Sequence, residues 1–204
     1  MTRRKRQLIA VLIALASLTL ASAEAGAQSA DVGIGGTGTM SLQLTDESNS
    51  FGPYFDDPIG GWGPGFGVFL TAIMRSGLTI SGEFTQSNYS TDPGDADAST
   101  LRQSLASGYI GYTVRGASVM ASFLGGAGWV SEELALSGND TEHPLEPPLS
   151  VGGGVDVAFR MSAPLSIVTS AKYTWLAGRH ETQDALGMTS HVFRFGVGLR
   201  IRVK

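Results

Sequence analysis

The fold is decided by residues 191–203, HVFRFGVGLRIRV. The odd positions are His191, Phe193, Phe195, Val197, Leu199, Ile201 and Val203, and the even positions are Val192, Arg194, Gly196, Gly198, Arg200 and Arg202. Successive side chains of a strand point to opposite faces, so this pattern is a strand with one apolar face and one small or charged face. The alternation recurs at 151–161, where Val151, Val155, Val157, Phe159 and Met161 share a face, and at 167–175. It is visible again at 40–45, 62–74, 78–89, 105–114 and 119–130, which makes eight strands. Within 105–114 the facing is ambiguous, because Tyr109 and Tyr112 have opposite parity.

The connections alternate too. Three are tight, at Arg75-Ser76-Gly77, Arg115-Gly116-Ala117-Ser118 and Ser162-Ala163-Pro164, and four are long and polar, at about 46–61, 90–100, 131–150 and 176–190. Short turns on one rim and long loops on the other describe an eight-stranded antiparallel up-and-down barrel.

The composition narrows the setting. Of the 204 residues 16% are charged, below the ~25% usual for soluble domains. There is no cysteine, which excludes a disulfide scaffold, a thiol nucleophile and Cys-ligated metal. A net charge of −4 with no basic stripe argues against nucleic acid as a partner. Arg3, Arg4, Lys5 and Arg6, the weakly polar to apolar run from Leu8 to Ala21 and the small residues Ala25-Gly26-Ala27 form a secretory signal peptide over 1–27. The run is too short to cross a bilayer as a helix, which takes ~20 residues. Residues 28–204 are then the barrel domain, with ten Lys and Arg against seventeen Asp and Glu.

Parity alone does not say which face points inward. In a soluble barrel of the lipocalin type the apolar face lines a cavity, and in an outer-membrane barrel it meets lipid. The polar face is mostly Gly, Ser, Thr and Ala, which suits the narrow interior of eight strands better than a water-facing surface. Trp62, Tyr89, Trp129 and Trp175 sit where strands meet long loops, as an interfacial aromatic girdle would. Fourteen of the seventeen acids lie in the long loops: Asp46, Glu47, Asp56, Asp57, Asp92, Asp95, Asp97, Glu132, Glu133, Asp140, Glu142, Glu146, Glu181 and Asp184. The transmembrane orientation follows, transmembrane β-barrel with Phe159, Phe193, Phe195, Val197 and Leu199 facing lipid.

The stretches ASVMASFLGGAGWV, SVGGGVDVAFRMSAPLSIVTSAKYTWL and HVFRFGVGLRIRV resemble the fifth to eighth strands of the small outer-membrane β-barrel family, the OmpA-like and opacity-type barrels. The resemblance covers the barrel as a pattern and is close over the last 90 or so residues. It implies residence in the outer membrane and handling by the assembly machinery. Such barrels usually finish on an aromatic residue, whereas this sequence finishes Val203-Lys204, and no wall-anchoring domain is expected after the barrel.

The candidate lumen charges are Glu83, Asp156, Arg160, Lys172, Arg194, Arg200 and Arg202. A turn near Pro164 sets Asp156 opposite Ser170 and Lys172 one diagonal step away. Unpaired buried charges are costly, so an ion-pair network is expected, with two acids against five bases. Arg160, Arg200 and Arg202 fall near the short-turn rim, where water can reach them. The network either plugs the barrel or lines a small-solute or anion path.

Other patterns carry less. Gly33-Ile34-Gly35-Gly36-Thr37-Gly38 has dinucleotide spacing but leads into a strand and not a helix, so no cofactor is expected and the segment is read as a Gly-lined first strand with room for lumen side chains. Ser190 and His191 with Glu181 or Asp184 could be imagined as a lipid hydrolase set, but adjacent strand residues face apart, and no catalysis is expected. His180 with Glu181 is too small a set for a metal, and Asp92, Asp95 and Asp97 lack calcium-loop spacing. The acidic loops are expected to be a solvated surface, able to use divalent cations as bridges to lipopolysaccharide or another surface ligand. Outer-membrane lipids are the remaining partner, and a monomer is expected.

Overall fold

A computed structural model describes residues 30–43, 61–90, 100–135, 142–144, 149–177 and 191–203. Residues 1–29, which include the expected leader, and the greater part of the four long connections lie outside these. The strands are β1 (Asp31–Gln43), β2 (Gly61–Ile73), β3 (Leu78–Ser90), β4 (Thr100–Arg115), β5 (Val119–Ala135), β6 (Glu142–Pro144), β7 (Leu149–Arg160), β8 (Leu165–Ala177) and β9 (His191–Arg202). All pairings are antiparallel between chain neighbours, except that β1 pairs with β9 and β5 pairs with β7 as well as β6. The β4–β5 pairing closes the sheet, so eight strands form a barrel and β6 is a short addition at the long-connection end of β5. Closure satisfies every strand's backbone groups within the wall, the condition for crossing hydrocarbon with strands.

Three strand limits differ by more than two residues from the alternation in the sequence. β1 begins at Asp31, ahead of Met40, and takes in the glycine-lined segment, which pairs in register with β2 and β9 from Gly33 onward. β4 begins at Thr100 and not Leu105. β5 continues to Ala135, so Glu132 and Glu133 belong to the wall and not to a loop. The tight turns stand as read. At the first, Gly77 takes φ +92, a region that favours glycine, and its NH donates to the Met74 carbonyl at 3.0 Å. The chain ends are tied to the same rim: Arg202 NH donates to the Pro164 carbonyl and Val203 NH to the Val32 carbonyl, at 2.7 and 2.8 Å.

The alternation fixes orientation. On the outer face Ile34, Phe66, Val68, Ile110, Phe123, Val151, Phe195, Val197 and Leu199 are all exposed. An apolar surface of that extent belongs against lipid and not water. The inner face holds Thr79, Ser81, Thr85 and Ser87 of β3, all buried, with Lys172, Arg194 and Arg200. β4 keeps strict alternation, with Tyr109 buried in the lumen and Tyr112 exposed on the outside.

Candidate functional site

The centre of the lumen is charged. Glu83 of β3 receives the Lys172 ammonium of β8 on Oε2 and stands 3.3 Å through Oε1 from Arg194 Nη2 of β9. Lys172 also pairs with Asp156 at 3.3 Å, the diagonal step that the Asp156–Ser170 register creates. Arg194 donates to Thr85 Oγ1 at 2.6 Å and to the Tyr109 hydroxyl at 3.4 Å, while Lys172 lies over the Tyr109 ring at 5.0 Å. Thr85 and Tyr109 thus complete the charged layer. Each cation meets more than one partner, as desolvated charge requires.

Apolar layers bound this cluster on both sides. Along β8 the inward residues run Ser166, Val168, Ser170, Lys172, Thr174, Leu176; Val168 joins Ile73, Met120 and Ala158, with Phe69 against them, and Leu176 joins Leu105, Val130 and Val192. A cavity of about 20 Å³, with room for a single water, lies within the first of these layers, lined by Phe69, Ile73, Met120, Ala158 and Val168 together with Asp156 and Arg200.

A second pair of cations shares an acid that sequence reasoning missed. Asp31 Oδ1 accepts from Arg200 Nη2 at 2.7 Å and pairs with Arg202 Nε at 3.4 Å. Arg200 is therefore buried and not solvated by the rim water. It fits because Gly33 has no side chain: a Cβ there would lie 2.4 Å from the Arg200 guanidinium. At Gly35 a Cβ would meet the Phe69 ring at 2.3 Å, so the glycine run gives space to inward side chains of its neighbours. Arg160 is a correction to the lumen set. It is the last residue of β7, already past the filled section, and it is exposed and donates to the Ala117 carbonyl at 3.5 Å. The expected surplus of cations shrinks accordingly: Glu83, Asp156 and Asp31 face Lys172, Arg194, Arg200 and Arg202.

The girdle needs one correction. Trp62, Trp129 and Trp175 are 54%, 60% and 46% exposed on the outer face, but Tyr89 is fully buried. Tyr89 has the parity of Glu83, so its ring turns inward, filling the space that Gly63 leaves; a Cβ on Gly63 would come within 2.6 Å of it. Phe159, Phe195, Val197 and Leu199 are exposed, and Phe193 is half-buried beneath Tyr173, ring to ring at 5.0 Å. His191 is also on the outer face, where its Nδ1 and the Tyr173 hydroxyl share a hydrogen bond of 2.6 Å. Ser190, Glu181 and Asp184 lie outside the described residues, as do Asp92, Asp95 and Asp97.

Above the girdle β4 runs level with β3 to Thr100, and β5 rises past β7 to Ala135. There Gln103 Nε2 donates to the fully buried Glu132 at 2.8 Å, and Arg102 pairs with Glu133 at 3.8 Å on the outer side. Cross-strand register sets both contacts, Gln103 opposite Glu132 and Arg102 opposite Glu133. Among the described residues no three His, Asp or Glu side chains gather as a metal site.

Residues 13–200 match the family model for the outer membrane protein beta-barrel domain. No curated protein matches the chain. Among solved structures it is similar to Ail, the attachment invasion locus protein of Yersinia pestis, seen with the heparin analogue sucrose octasulfate: 17% identity, 85% of this chain and 98% of that one, TM-score 0.56. It is similar to Neisserial surface protein A at 12% identity over 86% and 99% of the two chains, TM-score 0.57. OprG from Pseudomonas aeruginosa is similar at 12% identity over 85% and 96%, TM-score 0.57. These likenesses concern the fold, a closed barrel spanning the outer membrane. With the wall closed, its apolar face outward and the family model matched along nearly its whole length, the chain belongs to the outer-membrane β-barrel family.

Proposed function

We propose that the protein is a filled, non-conducting barrel that contributes to envelope structure and presents an acidic extracellular surface for contacts, with no catalytic step. The observation that carries this reading is the layering of Val168, Lys172 and Leu176 with their neighbours. An ion entering the lumen would have to leave water, cross one apolar layer, break a network of buried pairs and cross a second apolar layer. Each of these steps is expensive in a medium of low dielectric.

The rival is a small-solute or anion barrel. Its motive was an excess of lumen cations, and that excess is smaller once Asp31 is counted and Arg160 is set on the rim. Planar-bilayer recording separates the two. The expected result is a membrane without unitary currents. Steady unitary conductance that disappears in Lys172→Ala or Arg194→Ala would replace the filled-barrel reading with the pore. A lipid-modifying enzyme is the third class, and unchanged lipid A composition in cells overproducing the protein is expected.

The contact surface rests on charge. With Glu132 and Glu133 assigned to β5 and Glu142 to β6, the other eleven acids of the long connections remain. Such a surface disfavours polyanions of the sulfated kind held by Ail and favours cations, with divalent ions bridging carboxylates to lipopolysaccharide phosphates or to another surface. Exposed loops on a rigid scaffold are where binding usually resides. Outer-membrane lipids cover the apolar band, the assembly machinery is met during insertion, and one copy suffices to close the wall.

A further inference from the structure

Four arginines are arranged around one rim, and one of them, Arg202, also pairs through Nε with Asp31 at 3.4 Å. Arg75, Arg115, Arg160 and Arg202 are all exposed at the short-turn end. They mark the four successive places where strands meet there: β2 with β3, β4 with β5, β7 with β8, and β9 with β1. Eight strands have four such junctions, so the guanidinium groups are spread around the whole circumference. Among the described residues Asp31 is the one acid at this rim, and it is buried.

Their depth follows from the outer face. Trp129 and Val119 are both exposed on the outside of β5, and ten residue steps separate them. At ~3.3 Å per step and a tilt of ~40° this is roughly 25 Å along the membrane normal, the height of the apolar band of such barrels. Val119, Phe159 and Ile201 mark its lower edge, and the four arginines lie at or within a few residues of that edge. This is the level of the headgroup phosphates in the periplasmic leaflet. A guanidinium on a long apolar stem reaches such a level readily and offers donors in a fork that matches phosphate. Arg115 uses Nη2 on the Ile73 and Met74 carbonyls at 3.0 and 2.9 Å, which fixes its stem to the rim.

We propose that this ring binds the phosphates of anionic phospholipids in the periplasmic leaflet and so sets the depth and the orientation of the barrel. Separate headgroups can engage all four junctions at once, whereas a glycan strand approaching from below would follow one arc.

The test uses the full barrel in phosphatidylcholine vesicles, with spin-labelled phosphatidylglycerol and spin-labelled phosphatidylcholine as probes of its lipid annulus. Each favoured position is expected to prefer phosphatidylglycerol by about fivefold, the worth of one arginine at an anionic surface, and the preference should fade as salt is raised. R75Q/R160Q should lose about half of the favoured positions, and R75K/R160K should keep most of them. Equal association of the two probes with the wild-type barrel overturns the proposal, as does an undiminished preference in a folded R75Q/R160Q. If that variant does not fold, the salt titration of the wild type decides, and a preference that persists at high salt overturns it. Co-sedimentation with sheared peptidoglycan in the absence of any lipid preference also overturns it, in favour of a wall contact.

Discussion

Arg194 and Arg160 have the same inward parity on the same wall, yet their surroundings differ. Arg194 is 5% exposed and held by Glu83, Thr85 and Tyr109, while Arg160 is exposed and reaches a turn carbonyl. Parity states which way a side chain points. Depth decides whether water or the protein must satisfy it, and in the middle of the lumen Lys172 and Arg194 are satisfied by protein groups. Asp31 with Arg200 and Arg202 falls between the two cases, with Arg200 buried and Arg202 46% exposed.

Substitutions graded by depth sharpen this contrast. Glu83→Gln removes the carboxylate shared by Lys172 and Arg194, leaving buried cations short of counter-charge. A loss of ~3–5 kcal/mol in equilibrium urea unfolding from vesicles is expected. Combining it with Lys172→Gln should cost less than the sum of the single effects, because the two positions share one network. Asp31→Asn weakens the rim pair, but Arg202 keeps its water, so the expected loss is ~1.5–3 kcal/mol in the same assay. Arg160→Gln should change stability by no more than ~0.5 kcal/mol, as a surface site does. If Arg160→Gln cost as much as Glu83→Gln, the distinction between middle and rim would fail.

Most of the wall could be read from the sequence because a barrel strand has two chemically different faces. β2, β3, β7, β8 and β9 begin and end within two residues of the expected limits. The charged middle was legible for the same reason: Glu83, Asp156, Lys172 and Arg194 stand out among small inward residues. The first half of β1, where Gly alternates with Gly and Thr, gives no hydropathy signal and was legible by its glycines instead, as a strand leaving room for lumen side chains. Asp31 was missed, because its role depends on pairing between the first and last strands. Glu132 was hidden differently, because an acid next to another acid reads as loop until Gln103 is found opposite it. Tyr89 could have been placed correctly, as its parity with Glu83, Thr85 and Ser87 outweighs its position beside a loop.

The central claim, that the wall is lipid outside and packed protein inside, is tested most directly by nuclear Overhauser contacts between methyl groups and acyl chains in lipid nanodiscs. The account predicts lipid contacts for Ile110, Val151, Val197, Leu199 and Ile201, and contacts among themselves for Leu105, Val130, Leu176 and Val192, with no lipid signal. Acyl-chain contacts to Leu176 and Val192 with none to Val197 and Leu199 would contradict it.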